Sequence, residues 1–291
     1  MSSPSAMTVF DRRAVRHHRD RAAPGFGEYD FLLAEVAERL LDRLDDVKRD
    51  FPVALDLGCH TGSLGKRIDG RGGIKTLVQA DLSPAMAVRA GGLAMAADEE
   101  ALPFAEGSFD LILSGLSLHW VNDLPGALLQ IRKALKPDGL FLAAMFGGLT
   151  LAELRQSLAA AEQATAGGVS PRVSPFADVK DAGDLLARAG FTLPVVDTDP
   201  LTVSYGDPLK LMTDLRGMGE SNAVIERRKS FSRRETLMAA RQQYLDDFAG
   251  EDGRVPATFQ VLFLLGWAPH PDQPQAAERG SGQVCLTDIL E

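Results

Sequence analysis

The ten residues Val53-Ala54-Leu55-Asp56-Leu57-Gly58-Cys59-His60-Thr61-Gly62 constrain this chain more than any other stretch. An apolar run, residues 51–57, has the length of one buried strand and passes through an acid into a loop with two glycines. Glycine there lets backbone N–H groups approach a ligand closely. Further apolar runs follow at residues 76–80, before Asp98, at 109–113 and at 140–145. Between the last two, Asn122 or Asp123 can cap a helix with Pro125 in its first turn and Leu128, Ile131 and Leu135 on one face. Lys136-Pro137-Asp138-Gly139 is expected to stop it. Strands alternating with helices predict an α/β fold, a mostly parallel sheet with helices on both faces.

The flanks read differently. Residues 1–27 look like a polar, basic arm ending in Pro24-Gly25, with Arg12, Arg13, Arg16, Arg19 and Arg21 and few acids. This run reads as the arm of a cytoplasmic protein, its functional alternatives being to fold over a ligand or to dock on a partner; a transit peptide is the targeting alternative. From Tyr29 a helix is expected, with Leu33, Val36, Leu40, Leu44 and Val47 at helical spacing. After residue 147 come a helical stripe (Leu151, Leu154, Leu158, Ala161), a helix closed by Gly190, an extended stretch at 195–205, and a helix with Leu209, Met212 and Leu215. Ser232 to Glu235 reads as a capping box opening a helix that contains Leu237, Tyr244 and Phe248, and 259–267 as a final strand. Residues 148–250 are expected to include a helical cover over the sheet's ligand edge. The division is an arm at 1–27, a domain at 28–270 and a tail at 271–291.

Three acids give the glycine loop its meaning. A dinucleotide-binding loop would place glycine at positions 60 and 63, where this chain has His60 and Ser63. Asp81 ends the second strand about 20 residues past Gly62, which suits a bidentate contact to ribose hydroxyls. Asp98 ends the third and can accept from an exocyclic amine such as that of adenine. Asp56 can orient an ammonium directly or through water. Ribose, adenine and an amino-acid ammonium together describe S-adenosylmethionine. The candidate cofactor-binding set is Asp56, Gly58, Cys59, Gly62, Asp81, Leu82, Asp98, Glu99 and Ser114.

Several motifs carry a resemblance. Asp56-Leu57-Gly58-Cys59-x-x-Gly62, Asp81-Leu82-Ser83-Pro84, Leu102-Pro103-Phe104 and Leu135-Lys136-Pro137-Asp138-Gly139 resemble class I S-adenosylmethionine-dependent methyltransferases. Phe10-Asp11-Arg12, the run from Ser117 to Pro125, Met145-Phe146-Gly147-Gly148, Met218-Gly219-Glu220-Ser221-Asn222, the run from Val255 to Gln260 and Ala277-Glu278-Arg279-Gly280-Ser281 resemble the methyltransferase-like assembly factors of respiratory complex I and their bacterial relatives. The malonyl-acyl-carrier methyltransferases of biotin synthesis are a more distant likeness. The resemblance implies a Rossmann-like, seven-stranded sheet with its last strand antiparallel. It also implies a protein substrate, the complex I subunit beside the quinone site, modified at an arginine by hydroxylation or methylation. The family's middle loop glycine is His60 here, whose side chain either turns to solvent or meets the cofactor carboxylate.

The remaining chemistry narrows the partners. Asp and Glu exceed Lys and Arg by 40 to 31, a net charge of −9, which argues against broad contact with nucleic-acid phosphates or anionic lipid. No apolar stretch has the length of a membrane span, so no stable membrane insertion is expected. The expected setting is the bacterial cytoplasm, peripheral to the inner membrane, or the mitochondrial matrix in a eukaryote. Cys59 and Cys285 are the only cysteines, too few for a disulfide framework or a local zinc pattern. Methyl transfer from a sulfonium rests largely on proximity and alignment. Hydroxylation needs an oxygen-activating centre, and none of His17, His18, His60, His119 and His270 stands in a local pair with a carboxylate that would suggest non-haem iron. No metal site is expected.

Candidate catalytic positions are His119 and Trp120 after the fourth strand, with Glu220 and Asn222 around Ser221 in a covering loop. Trp120 can stack on a guanidinium and Glu220 can pair with one; the competing structural reading makes them packing and capping residues. Arg227, Arg228, Lys229, Arg233 and Arg234 form a second basic cluster, fit for an acidic partner or for exposed helix ends. Two other functions stay open: an acyl-carrier carboxyl methyltransferase, and a non-catalytic assembly chaperone.

Overall fold

Seven strands form one sheet: β1 (Val53–Leu57), β2 (Thr76–Asp81), β3 (Leu93–Ala96), β4 (Phe109–Gly115), β5 (Leu135–Phe146), β6 (Thr192–Tyr205) and β7 (Val255–Trp267). Their order is β3-β2-β1-β4-β5-β7-β6. Neighbours among β1 to β5 are parallel, and β7 runs antiparallel to both β5 and β6. The computed structural model describes residues 8–274. The tail motif from Ala277 to Ser281, and Cys285, lie outside the described residues.

Helices α1 (Arg12–Ala22), α2 (Phe31–Asp45), α3 (Pro84–Ala90), α4 (Leu124–Ala134), α5 (Ala152–Ala166), α6 (Val179–Arg188), α7 (Pro208–Gly217) and α8 (Arg234–Phe248) complete the architecture. On one face Leu40 and Leu44 of α2 and Leu158 of α5 join Leu111, Leu142 and Phe259 of the sheet in one core. On the other, Leu128 and Ile131 of α4 and Leu186 of α6 join Leu55, Ile112 and Leu264. Removal of these apolar faces from water is the main force holding helices to sheet.

Four expectations change. The arm is no loose extension: α1 and a following 3-10 turn, Ala23–Glu28, pack on the sheet's carboxyl edge with Val15, Arg19 and Phe26 buried. The stretch 148–250 is only partly a cover, because β6 within it pairs with β7 as the sheet's outer strand and α6 lies on the opposite face from α5. The capping box does not form; α8 starts at Arg234, and Ser232 Oγ accepts instead from Arg172 Nη1 at 2.7 Å. The Lys136-Pro137-Asp138-Gly139 stretch belongs to β5, which starts directly after α4 and bulges there, since Leu135 pairs with Phe109 and Leu140 with Leu111. Lys136 Nζ there donates to Asp110 at 2.8 Å. Strand ends also shift: β1 starts at Val53, and β6 and β7 extend together to the Tyr205–Val255 pair.

Candidate active site

The carboxyl edge of β1, β2 and β4 carries the loop. Gly58 N–H and Cys59 N–H both donate to Ala80 O, at 2.7 and 3.0 Å, which ties the loop to β2. Gly58 (φ +74) and Gly62 (φ +78) take left-handed backbone, and both are also tightly approached. A Cβ on Gly58 would lie 2.1 Å from Ser117 Cβ, and one on Gly62 would lie 2.8 Å from Gln79 Oε1. Cys59 is buried with its Sγ on His60 O, and burial pushes its thiol far above the ordinary range. Iodoacetamide is therefore expected to leave Cys59 unlabelled in native protein and to modify it only after denaturation, read by peptide mapping; native labelling would contradict this burial.

His60 does not turn to solvent. It has φ 49, its N–H donates to Asp81 Oδ2 at 2.9 Å, and its ring stacks on Phe26 with centroids 5.6 Å apart. It is buried; burial and then the charge of Arg19 lower its pKa, so the imidazole is neutral.

The acids divide into a bare one and a bound group. Asp56 is fully buried and neither carboxylate oxygen has a partner among the described residues. Burial, with the nearby charge of Asp81, pushes its pKa up to about 8. Asp81, Asp98 and Glu99 are met by α1. Arg19, fully buried, places Nη1 3.3 Å from Asp81 Oδ2 and 3.3 Å from Glu99 Oε1, and its Nη2 donates to Ser117 Oγ at 2.9 Å. Arg12 Nη2 donates to Asp98 Oδ1 at 2.6 Å and also bonds Glu99. Burial alone would raise the Glu99 carboxyl; the two arginines outweigh it and hold it down at about 2. Ser114 Oγ donates to Leu57 O at 2.8 Å, a bond within the sheet, and Leu82 packs beside Phe10 and Trp120.

The second group of candidates meets at Glu220. Trp120 Nε1–H donates to Glu220 Oε2 at 2.9 Å, and His119 Nε2 lies 3.1 Å from the same oxygen. Burial opposes the Glu220 charge, but His119 outweighs it and holds the carboxyl below its ordinary value. Oε1 accepts no hydrogen bond among the described residues. Glu220 lines a cavity of about 360 Å³ whose other walls include Trp120, Leu154, Phe176, Met212 and Arg216. It also lines a nearly filled gap of about 10 Å³ shared with His60 and Phe26, so it stands between the cavity and the glycine loop. Asn222 is used within the fold: its Nδ2 donates to Pro171 O at 2.8 Å and its Oδ1 accepts from Val224 N–H. Asp123 caps α4, while Asn122 Oδ1 accepts from the N–H groups of Val9 and Phe10. Among the described residues no three His, Cys, Asp or Glu side chains gather as a metal-holding group.

Sequence reasoning missed Arg12, Arg19 and Phe26 as parts of this edge. The signal was there: Val15, Arg19, Ala22 and Phe26 recur at helical spacing, so Arg19 falls on an apolar stripe.

A sheet with one antiparallel strand beside its outer strand, a glycine loop after β1 and acids at the ends of β2 and β3 define a protein of the methyltransferase class. Residues 55–143 match the family model described as a methyltransferase domain. The fold is shared with the YcgJ protein of Bacillus subtilis (TM-score 0.55, 14% identity, 80% of this chain and 99% of that one). It is shared too with Haemonchus contortus phosphoethanolamine N-methyltransferase 2 in complex with S-adenosyl-L-methionine (TM-score 0.54, 18% identity, 88% and 60%). Over 295 residues the chain is 45% identical to human mitochondrial arginine-hydroxylase NDUFAF5, covering 99% of this chain and 85% of that protein. It is 36% identical over 292 residues to malonyl-[acyl-carrier protein] O-methyltransferase of Halorhodospira halophila, covering 98% and 96%. The chain belongs to the arginine-hydroxylase NDUFAF5 family and is an enzyme. The α/β expectation and the family resemblance are both borne out.

Proposed function

We propose that the chain binds S-adenosylmethionine at the carboxyl edge of β1 to β3 and modifies an arginine side chain of a protein, a subunit of respiratory complex I. The observation that carries this reading is the Glu220 carboxylate, anchored on one oxygen by Trp120 and His119, on the wall of a mostly apolar cavity that Arg172 and Arg216 also line. A guanidinium at the end of a three-carbon stem matches both parts, since the stem packs on apolar walls and the head takes charge-assisted bonds. The donor set suits the cofactor: the partnerless Asp56 an ammonium, Asp81 a ribose diol, Asp98 an adenine amine. When bound, S-adenosylmethionine supplies an electrophilic methyl group on sulfur. The 45% identical relatives carry the name arginine-hydroxylase, so hydroxylation is the reaction proposed here: one atom of molecular oxygen enters an arginine C–H bond, and the other leaves as water with two electrons and two protons from an external reductant.

The test is intact-mass spectrometry and peptide mapping of the quinone-site subunit from wild-type and deletion strains. The expected result is loss of one oxygen's mass from an arginine-containing peptide on deletion. Loss of one methylene's mass would replace hydroxylation by methyl transfer, and no change would overturn the assignment of this client. A second reading, carboxyl methylation of an acyl-carrier substrate, is favoured by the 36% identical relative and by Arg216 on the cavity wall. Rescue of a biotin auxotroph would establish it. The relatives at 45% are mitochondrial, and no helix among the described residues is long and apolar enough to cross a membrane. The proposed setting is the bacterial cytoplasm beside the inner membrane, or the matrix in a eukaryote.

A further inference from the structure

We infer that residues 9–28 are a strap whose Arg12 and Arg19 occupy the acids that receive the cofactor, so that loading the cofactor requires the strap to let go. The inference rests on the cofactor reading above. Arg19 lies on the same Asp81 proposed for the ribose, and Arg12 on the same Asp98 proposed for adenine. At Asp81 both oxygens already accept a backbone N–H, from Ser83 and His60, besides Arg19, so a ribose diol and the guanidinium compete there; at Asp98 Arg12 takes Oδ1. Phe26 closes the inner end by stacking on His60, and Asp20 accepts from Ser83 Oγ at 2.5 Å, just beyond Asp81.

The two arginines are held unequally, Arg12 by a 2.6 Å bond to Asp98 and Arg19 by longer contacts. A buried charge is tolerated when all its donors are paired at short range. Arg19 falls short: its three contacts to carboxylate oxygens are 3.3–3.4 Å, beyond the 2.7–2.9 Å usual for a charge-assisted bond, and its Nε has no partner. Arg12 Nε also lacks a hydrogen bond. Beneath them Asp56 has no partner at all. A cationic ligand with hydroxyl donors would satisfy Asp56 as well as Asp81, which Arg19 does not.

The outer attachment is separate from these acids. Asn122 Oδ1 accepts from Val9 and Phe10 N–H at 2.8 and 2.7 Å. Asn122→Ala would therefore loosen the strap without altering Asp81, Asp98 or Glu99, at the cost of the Asn122 Nδ2 bond to Glu100, and Arg19→Gln would loosen it at the acids themselves. The experiment measures binding of S-adenosylhomocysteine to the full chain by calorimetry, with a melting curve for each variant. Alongside it, trypsin cleavage at the α1 arginines is timed with and without that ligand.

When an occupant must leave first, apparent affinity is reduced by the fraction of open molecules. Both variants are expected to bind at least about tenfold more tightly than the wild type, and the ligand is expected to speed cleavage in α1. Equal or weaker binding by a folded variant, or protection of α1 by the ligand, would overturn the strap and leave cofactor binding intact. Should Arg19→Gln fail to fold, Asn122→Ala and the wild-type cleavage rates still decide. Absence of binding in every form would overturn the cofactor reading itself, and the strap with it.

Discussion

Replacing Glu220 by glutamine is expected to lower kcat/KM for an arginine-containing client peptide by about 10- to 100-fold, the worth of a hydrogen bond to a charged group. The amide keeps the volume of the carboxylate and still offers an oxygen to Trp120 Nε1–H, so the melting temperature should stay close to that of wild type. What disappears is the negative charge facing the cavity. The loss should fall mainly on KM if Glu220 only anchors the guanidinium, and on kcat as well if it also aligns it. A lysine-containing control peptide reports whether charge or the planar, two-pronged geometry is recognised. Wild-type rates for Glu220→Gln would remove Glu220 from the site and return the Glu220–Trp120–His119 group to a packing role.

The Asp56→Asn variant should be more stable than the wild type, and the difference should depend on pH. Asp56 ionises near 3.8 in the unfolded chain and at about 8 when buried. Between those values the folded state holds one proton that the unfolded state has released. Wild-type stability therefore falls as pH rises from about 4 to about 8 and levels off above, where both states are ionised. Each unit is worth about 1.4 kcal/mol, so the cost at pH 8 is on the order of several kcal/mol. Asparagine does not titrate. Its melting temperature should exceed that of wild type by roughly 5–10 °C at pH 8 and converge with it near pH 4. Binding of S-adenosylhomocysteine should weaken in the same variant, because an amide, unlike a carboxyl, cannot ionise to pair with the ammonium. A constant difference across this pH range would mean that Asp56 has a partner in solution. Glu99 works in the opposite sense: held at about 2, it stabilises the fold above the unfolded carboxylate value and loses that contribution as pH falls toward 2.

How much of this was readable beforehand follows from the range of the interactions. The segment from Val53 to Gly62 declares its strand and its loop locally, because apolar run, acid and glycine are contiguous. Asp81 and Asp98 were readable as strand-end acids for the same reason. The antiparallel direction of β7 was not: nothing in its spacing distinguishes it from a parallel strand, and only the family resemblance supplied it. Arg19 was read as one charge in a basic arm because its partners, Asp81 and Glu99, stand far along the chain. Ser232 had the spacing of a cap, but the Arg172 guanidinium competes for its hydroxyl from another loop. The meeting of Trp120, His119 and Glu220 likewise depends on two segments about a hundred residues apart. Local chemistry showed which residues were unusual, and only the folded chain shows which of them touch.

The N-terminal segment is stitched to the loop that follows Glu220. Phe10 bridges Val224, Asp11 N–H donates to Ala223 O at 2.8 Å, and Ile225 N–H donates to Val9 O at 2.9 Å. One end of this seam touches the acids of the cofactor edge and the other leads into the wall of the acceptor cavity, so the two halves of the proposed site are joined through one segment. Turnover then acquires a sequence in time. On the strap proposed above, cofactor entry displaces the arginines before Glu220 meets the client. Initial-velocity and product-inhibition patterns of a compulsory-order mechanism are the kinetic signature of that seam.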